Sequence, residues 1–169
     1  MKRELCSFIK KDDFEILEYT PTIFHLFYDR IEYISFQRKI RFLFEYFRGY
    51  KVYYLLANHT IVGYCVVSKG GGRYAFASCN DIVVGPYYII PKFRGKHYSE
   101  ILLSELLNCD KYSKLTAYVW IRKNNIPSLK CSEKVGFCVN GEANIVGLLR
   151  KIKIVYDGSG EYYVFKYGK

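Results

Sequence analysis

Apolar positions along this chain switch between a period of two and a period near 3.6, and the sharpest switch lies between residues 81 and 107. Ile82-Val83-Val84 and Tyr87-Tyr88-Ile89-Ile90 are β-branched and aromatic, which predicts a strand. Gly85-Pro86 interrupts it, as at a bulge or an edge. Pro91 ends it, because proline has no N–H for a ladder. Arg94-Gly95-Lys96-His97-Tyr98-Ser99 follows as a basic turn. From Tyr98 the spacing becomes helical, with Tyr98, Leu102 and Leu106 on one face and Leu103 and Leu107 beside them.

The same reading covers the rest of the chain. Leu5 to Ile9 fits a short strand, Phe14 to Leu17 fits strand or helix, and Pro21 suits the first position of a helix. Phe36, Ile40, Leu43, Phe44 and Phe47 recur at helical spacing within 34–47, and Gly49 is a stop signal. That stripe is expected to pack on a sheet. His25 and Asp29 read as surface or cap residues. Val52 to Ala57 and Ile61 to Val67 form a hairpin across Asn58-His59-Thr60. Lys69-Gly70-Gly71-Gly72-Arg73 has glycines that suit a phosphate, but no helix follows to supply a dipole, so it reads as a plain connection. Leu115 to Ile121 is a strand. Asn124-Asn125 and Pro127 open a helix that runs to Val135 and closes at Gly136. Ile145 to Leu149, Lys151 to Tyr156 and Tyr162 to Lys166 are strand-like, the last two separated by a turn at Asp157-Gly158-Ser159-Gly160.

Composition narrows the class. A length of 169 residues without repeats or linkers predicts one domain over 1–169. A net charge of +10 favours anionic partners and disfavours lysine-rich peptides. The 18 tyrosines and 12 phenylalanines predict a tyrosine-rich core and surface, or more sharply a stacking surface for a base or sugar ring. The six cysteines form no Cys-x-x-Cys pair and no cluster with zinc-ligand spacing, so no metal is expected. With no apolar signal at the amino terminus and no run long enough to span a bilayer, a cytoplasmic protein without a membrane partner is expected.

The chemistry lies at the turn. A strand that feeds a basic, glycine-containing turn and then a helix suits a phosphate, because the free N–H groups and dipole of the first helical turn favour an anion. Ile89-x-Pro91-x-x-Arg94-Gly95-Lys96 resembles the pyrophosphate segment of the GNAT superfamily of acyl-CoA-dependent N-acetyltransferases, written Val-x-Pro-x-x-Arg/Gln-x-x-Gly-x-Gly/Ala. Asn125-x-x-Ser128, followed by Glu133-Lys134-Val135-Gly136-Phe137, resembles that family's second segment. Two departures stand out: His97 and Ser99 replace small residues of the first segment, and Ser132 stands where many members carry the tyrosine that protonates the leaving thiolate.

The resemblance implies an α/β fold with a mixed, mostly antiparallel sheet of six to seven strands, splayed at the CoA site and flanked by helices. It implies acetyl-CoA as co-substrate and direct transfer of acetyl to a primary amine. The pantetheine arm would lie on Tyr88, Ile89 and Ile90. Arg94, Gly95, Lys96, His97, Tyr98 and Ser99 would hold the pyrophosphate, with Asn125 and Ser128 on the other side. The amino-terminal helix would form a wall of the acceptor pocket. Asp81 is the first candidate for the base, with Glu45 and His59 behind it; its alternative role is to cap a turn after Asn80. Ser132 occupies the acid position, and Tyr98 or Tyr118 could supply the proton instead. Cys131 as a covalent nucleophile has no paired base. The acceptor is a small amine, and the positive charge tilts towards an anionic one such as an amino sugar. The alternative is a non-catalytic module that binds CoA or an anionic partner such as RNA. Against nucleic acid, the basic residues are spread along the chain and form no RNA-binding motif. The aromatic tail permits a homodimer.

Overall fold

The computed structural model describes residues 5–28, 36–147 and 150–168. In chain order the elements are β1 (Leu5–Lys10), β2 (Glu15–Tyr19), α1 (Phe36–Arg48), β3 (Tyr50–Ala57), β4 (Thr60–Lys69), β5 (Ile82–Ile89), α2 (Tyr98–Asn108), β6 (Ala117–Arg122), α3 (Ile126–Val135), β7 (Cys138–Val146), β8 (Lys151–Val155) and β9 (Tyr162–Tyr167). The fold is mixed α/β, as expected. The described residues hold nine strands where six to seven were expected. The difference comes from the ends. β1 and β2 pair as a hairpin whose second strand continues onto β3. β7 begins at Cys138, seven residues before the apolar run at Ile145, because Asn140, Gly141, Glu142 and Asn144 hide the strand period.

Contacts divide the chain into two compact units, Met1–Ser68 with Pro86–Glu105, and Lys69–Gly85 with Leu106–Lys169. In the first unit the strands run β1-β2-β3-β4 and then the carboxyl half of β5. The β3–β4 hairpin turns on Asn58 and His59, both at positive φ, the backbone that a two-residue hairpin turn requires. Gly63 of β4 lets β5 approach closely: a Cβ there would meet Ile89 Cδ1 at 2.4 Å and the Tyr88 carbonyl at 2.5 Å.

Three buried tyrosines of this unit hold the segment after β2. The Tyr19 hydroxyl donates to the His25 carbonyl (2.8 Å) and the Tyr50 hydroxyl to that of Leu26 (2.8 Å). The Tyr54 hydroxyl accepts the Tyr28 N–H (3.0 Å). Thr22 and His25 also exchange backbone hydrogen bonds. The helix suggested by Pro21 is therefore not formed over 21–28; backbone groups that a helix would pair internally are taken by phenols of the sheet. Burial first, and then Tyr19, Tyr54 and Glu45, push the Tyr50 phenol far above its ordinary value, so it remains a donor. Asp29 and Ile34 lie outside the described residues, as does Leu149.

α1 matches the expected helix but is turned the other way. Its inward face is Phe42 and Glu45, with Phe42 packed against Phe27 (4.9 Å between ring centres) and Tyr50 (5.4 Å). The periodic stripe faces outward: Phe36 and Phe47 are 74% and 73% exposed, and Ile40, Leu43 and Phe44 are exposed too. The expected packing of that stripe on the sheet is thus corrected. Helical spacing shows that a face is apolar; it does not choose between that face and a shorter one built around a single well-fitted ring.

In the second unit the order is the amino half of β5, then β6, β9, β7 and β8. β5 and β6 are parallel, and α2 lies between them in sequence, the long connection that parallel strands need. Pairs β6–β9, β7–β9 and β7–β8 are antiparallel. The register of β5 with β6 covers Ile82 and Val83 and goes no further. β5 leaves its neighbour at Val84, just ahead of Gly85, which sits at φ +113, and Pro86.

Candidate active site

The turn between β5 and α2 is built by its backbone. A single 3-10 turn at Pro91–Phe93 follows the strand, closed by the Arg94 N–H on the Pro91 carbonyl (3.1 Å). Gly95 adopts φ +80 with open space where a side chain would project. His97 adopts φ +58, the left-handed backbone that glycine takes without cost. It stands where the family segment carries glycine, so this chain keeps the conformation and replaces the residue. The His97 carbonyl accepts the Ile101 N–H (3.0 Å) and so starts α2. The N–H groups of Tyr98, Ser99 and Glu100 form the first helical turn, which has no intrahelical acceptor.

Side chains at the turn are arranged around that backbone. Arg94 Nε donates to the Ile89 carbonyl (3.1 Å), and its guanidinium lies 5.5 Å from the Tyr88 ring centre. Arg94 is therefore held against the end of β5. Lys96 is exposed. His97 Nδ1 lies 3.0 Å from Glu100 Oε1, which keeps the imidazole at the helix start. Tyr88, Ile89 and Ile90 are half-buried, and the Ile90 N–H bonds the Val62 carbonyl (2.9 Å). All these residues lie in the first unit.

Asp81, Asn125, Ser128 and Ser132 lie in the second. Asp81 Oδ2 accepts the Ser78 N–H (2.7 Å), and the Asp81 N–H donates to the Ser78 carbonyl (3.2 Å). Its carboxylate thus closes a tight turn at the entry to β5. Burial first, and then the Asp81 charge, hold the Tyr118 phenol above its ordinary value. Asn125 is the residue before α3; its carbonyl accepts the Leu129 N–H (3.1 Å), and its side chain makes no capping hydrogen bond. Ser128 is half-buried on α3. Ser132 is fully buried, and its carbonyl accepts the Phe137 N–H (3.0 Å). Glu45, the weaker base candidate, is buried on α1 with Arg48 Nε 4.0 Å from its carboxylate, whereas His59 sits on the exposed hairpin turn. Cys131 is buried.

The glycine loop after β4 spends its N–H groups on itself: Gly70 N–H donates to the Asp81 carbonyl (2.8 Å) and Gly71 N–H to that of Ala77 (2.8 Å). Gly70 has no room for a side chain, since a Cβ would meet the Ser78 carbonyl at 2.1 Å. The loop next to it carries a residue that sequence reasoning passed over. Arg73 stacks on Trp120 of β6, which presents Tyr118, Trp120 and Arg122 on one face. The alternation within β6 was legible, but nothing in the sequence links residue 73 to residue 120. Among the described residues there is no group of three or more His, Cys, Asp or Glu side chains able to hold a metal ion, and no helix long and apolar enough to cross a membrane.

β5 thus parts from its β6 register after Val83 and ends in a left-handed basic turn before α2. The model of the acetyltransferase (GNAT) family matches residues 16–137, and this chain belongs to that family. No curated protein matches the chain by sequence. Its fold is shared with solved structures of low identity. An IAA acetyltransferase from Bacillus cereus is 11% identical, with 89% of this chain and 96% of that one covered and a TM-score of 0.60. The Microcin C7 self immunity acetyltransferase MccE, solved with acetyl-CoA and AMP, is 11% identical, with 93% of each chain covered and a TM-score of 0.56. The Campylobacter jejuni N-acetyltransferase PseH is 17% identical, with 91% of this chain and 98% of that one covered and a TM-score of 0.55.

Proposed function

We propose that the chain is a single-domain acetyl-CoA-dependent N-acetyltransferase that moves acetyl directly to the primary amine of a small, anionic acceptor such as an amino sugar. The observation that carries this reading is the backbone of the β5–α2 turn. Gly95 and His97, both left-handed, bring the chain round so that the first turn of α2 follows a basic segment. Such a turn suits a pyrophosphate, whose charge meets the N–H groups and positive end of the helix. The end of the β5–β6 register at Val83 supports the pantetheine assignment, because β5 backbone beyond it is not in that ladder. Asn125 and Ser128 are assigned to the same co-substrate through the second segment of the resemblance.

In this reading the amine is neutral when it attacks the thioester carbonyl, its proton passes to Asp81, and the thiolate leaves as free CoA. A backbone N–H of β5 faces the oxyanion. Ser132 stands at the thiolate position. A serine hydroxyl is a poor proton donor, so solvent or a tyrosine delivers the proton. Tyr98 and Tyr118 are the candidates, and Tyr118 pairs in register with Val83, two residues after Asp81.

The test is calorimetric titration of the protein with acetyl-CoA, alongside thiol release over a panel of amines. Binding with amine-dependent thiol release is the expected result. Absence of acetyl-CoA binding would overturn the turn assignment. Binding without turnover on any amine would return the chain to a non-catalytic CoA-binding module.

A further inference from the structure

The sheet of the second unit carries an aromatic and cationic surface that the acetyl-transfer reading uses only at Tyr118. Tyr118, Trp120 and Arg122 alternate on one face of β6. The Trp120 ring lies 4.7 Å from that of Tyr162 on β9, and the Tyr118 ring 5.6 Å from that of Phe76. The Arg73 guanidinium lies 5.9 Å from the Trp120 ring centre, and that of Arg122 lies 5.5 Å from Tyr162 while donating to its hydroxyl (3.2 Å). Tyr118 and Tyr162 are buried, and the half-buried Arg73, Phe76 and Trp120 with the exposed Arg122 form the outer layer over them.

Two features separate this surface from ordinary core packing. Arg73 is half-buried, and its Nε is buried with no hydrogen-bond partner among the described residues, a costly state for a cationic group. Trp120, the sole tryptophan, is half-buried while β6 residues of the opposite face, Ala117, Val119 and Ile121, are buried. The platform is also rigid. The Arg73 carbonyl accepts the Ile152 N–H (2.7 Å), and the Ala75 N–H donates to the Ile152 carbonyl (3.1 Å), which ties the loop to β8. Arg122 donates to the Tyr162 hydroxyl and lies in the field of Glu161, and Lys123 is paired with Glu142, so among the described cations of this face Arg73 is the one offered to a ligand.

We propose that this surface binds a nucleotide, its base stacked on Trp120 and its phosphate on Arg73, and that the acceptor is therefore a nucleotide-linked amine. Aromatic faces accept any base, and a guanidinium fork matches a phosphate. The inference deepens the acetyltransferase reading and rests on it: the same face includes Tyr118, the register partner of Val83, two residues after Asp81, so a ligand stacked here lies near the proposed base.

Because Trp120 is the only tryptophan, its fluorescence reports the site directly. The intact protein, saturated with CoA, is titrated with UDP, AMP, a UDP-linked hexosamine, uridine and inorganic phosphate. Saturable quenching by the nucleotides and the UDP-linked sugar is expected, with uridine weaker by about tenfold for want of the phosphate. Arg73→Gln weakens the nucleotides by about tenfold or more and leaves acetyl-CoA affinity unchanged; Arg73→Lys falls between. Thermal melts of both variants accompany the titrations, and the wild-type titration decides the matter should either fail to fold. No quenching by any nucleotide, quenching undiminished in Arg73→Gln, or binding only in the absence of CoA would each overturn the nucleotide site. Loss of acetyl-CoA binding in the wild type would instead overturn the acetyltransferase reading, so the two failures are separate.

Discussion

The two segments that resemble the family motifs differ in what they do. The turn before α2 is strained and charged: Gly95 and His97 are left-handed, Arg94 is folded onto Tyr88, and Lys96 is exposed. The segment along α3 is relaxed. Its closing residue, Gly136, takes φ +101 and donates its N–H to the Glu133 carbonyl, and the Phe137 N–H reaches back to Ser132, the paired bonds of a helix ended by a left-handed glycine. Phe137 is buried against Tyr167, with ring centres 5.4 Å apart. The two segments thus divide into a left-handed basic turn and a helix whose closing residues are tied into the fold.

That division can be broken by mutation. The largest effect on the fold is expected from Phe137→Ala, which removes a buried ring and should cost about 3–5 kcal/mol in urea unfolding. Acetyl-CoA affinity of the protein that remains folded should stay within about threefold. The reverse pattern is expected at the turn. Arg94→Glu with Lys96→Glu should weaken acetyl-CoA binding by about a hundredfold, or about 2.7 kcal/mol, by calorimetry. The melting temperature should fall only slightly, because Lys96 is exposed and Arg94 gives up one side-chain hydrogen bond, to Ile89, and its contact with the Tyr88 ring. Unchanged affinity in that variant would sink the phosphate assignment.

Smaller effects sharpen the contrast. Gly136→Ala places a side chain on left-handed backbone, 3.4 Å from the Tyr167 ring, and should cost about 1–2 kcal/mol of stability. His97→Gly should do the opposite, since it relieves that same backbone strain while adding the chain entropy of glycine, for a net gain of about 0.5 kcal/mol. If the turn binds through its backbone, acetyl-CoA affinity of His97→Gly should stay within about threefold. A tenfold loss would show that the imidazole itself holds the phosphate.

A comparable split separates what was legible in the chain from what was not. The apolar periods identified β5, α2 and β6, with Pro91 marking the end of β5, and Asn125, Pro127 and Gly136 marked the ends of α3. The turn at Arg94 to Ser99 was legible for the same reason: a helix N-terminus is a local object. Asp81, Asn125, Ser128 and Ser132 became candidates through the family resemblance. Their surroundings could not, and the bond from Asp81 to Ser78 belongs to a turn whose shape depends on Gly70 having no side chain.

Only tertiary structure decided the rest. α1 carries a regular apolar stripe, yet Phe42 and Glu45 face inward, because the fit of one ring between Phe27 and Tyr50 is a property of three distant segments. Residues 21–28 are held by phenols of β2 and β3, so Pro21 begins no helix there. Arg73 meets Trp120 across 47 positions of sequence through the docking of a loop on β8. Local periodicity encodes which faces of an element are apolar and where the element stops. Which face is covered, and which side chains from separate elements meet, depends on packing among all of them, and no window of sequence contains that.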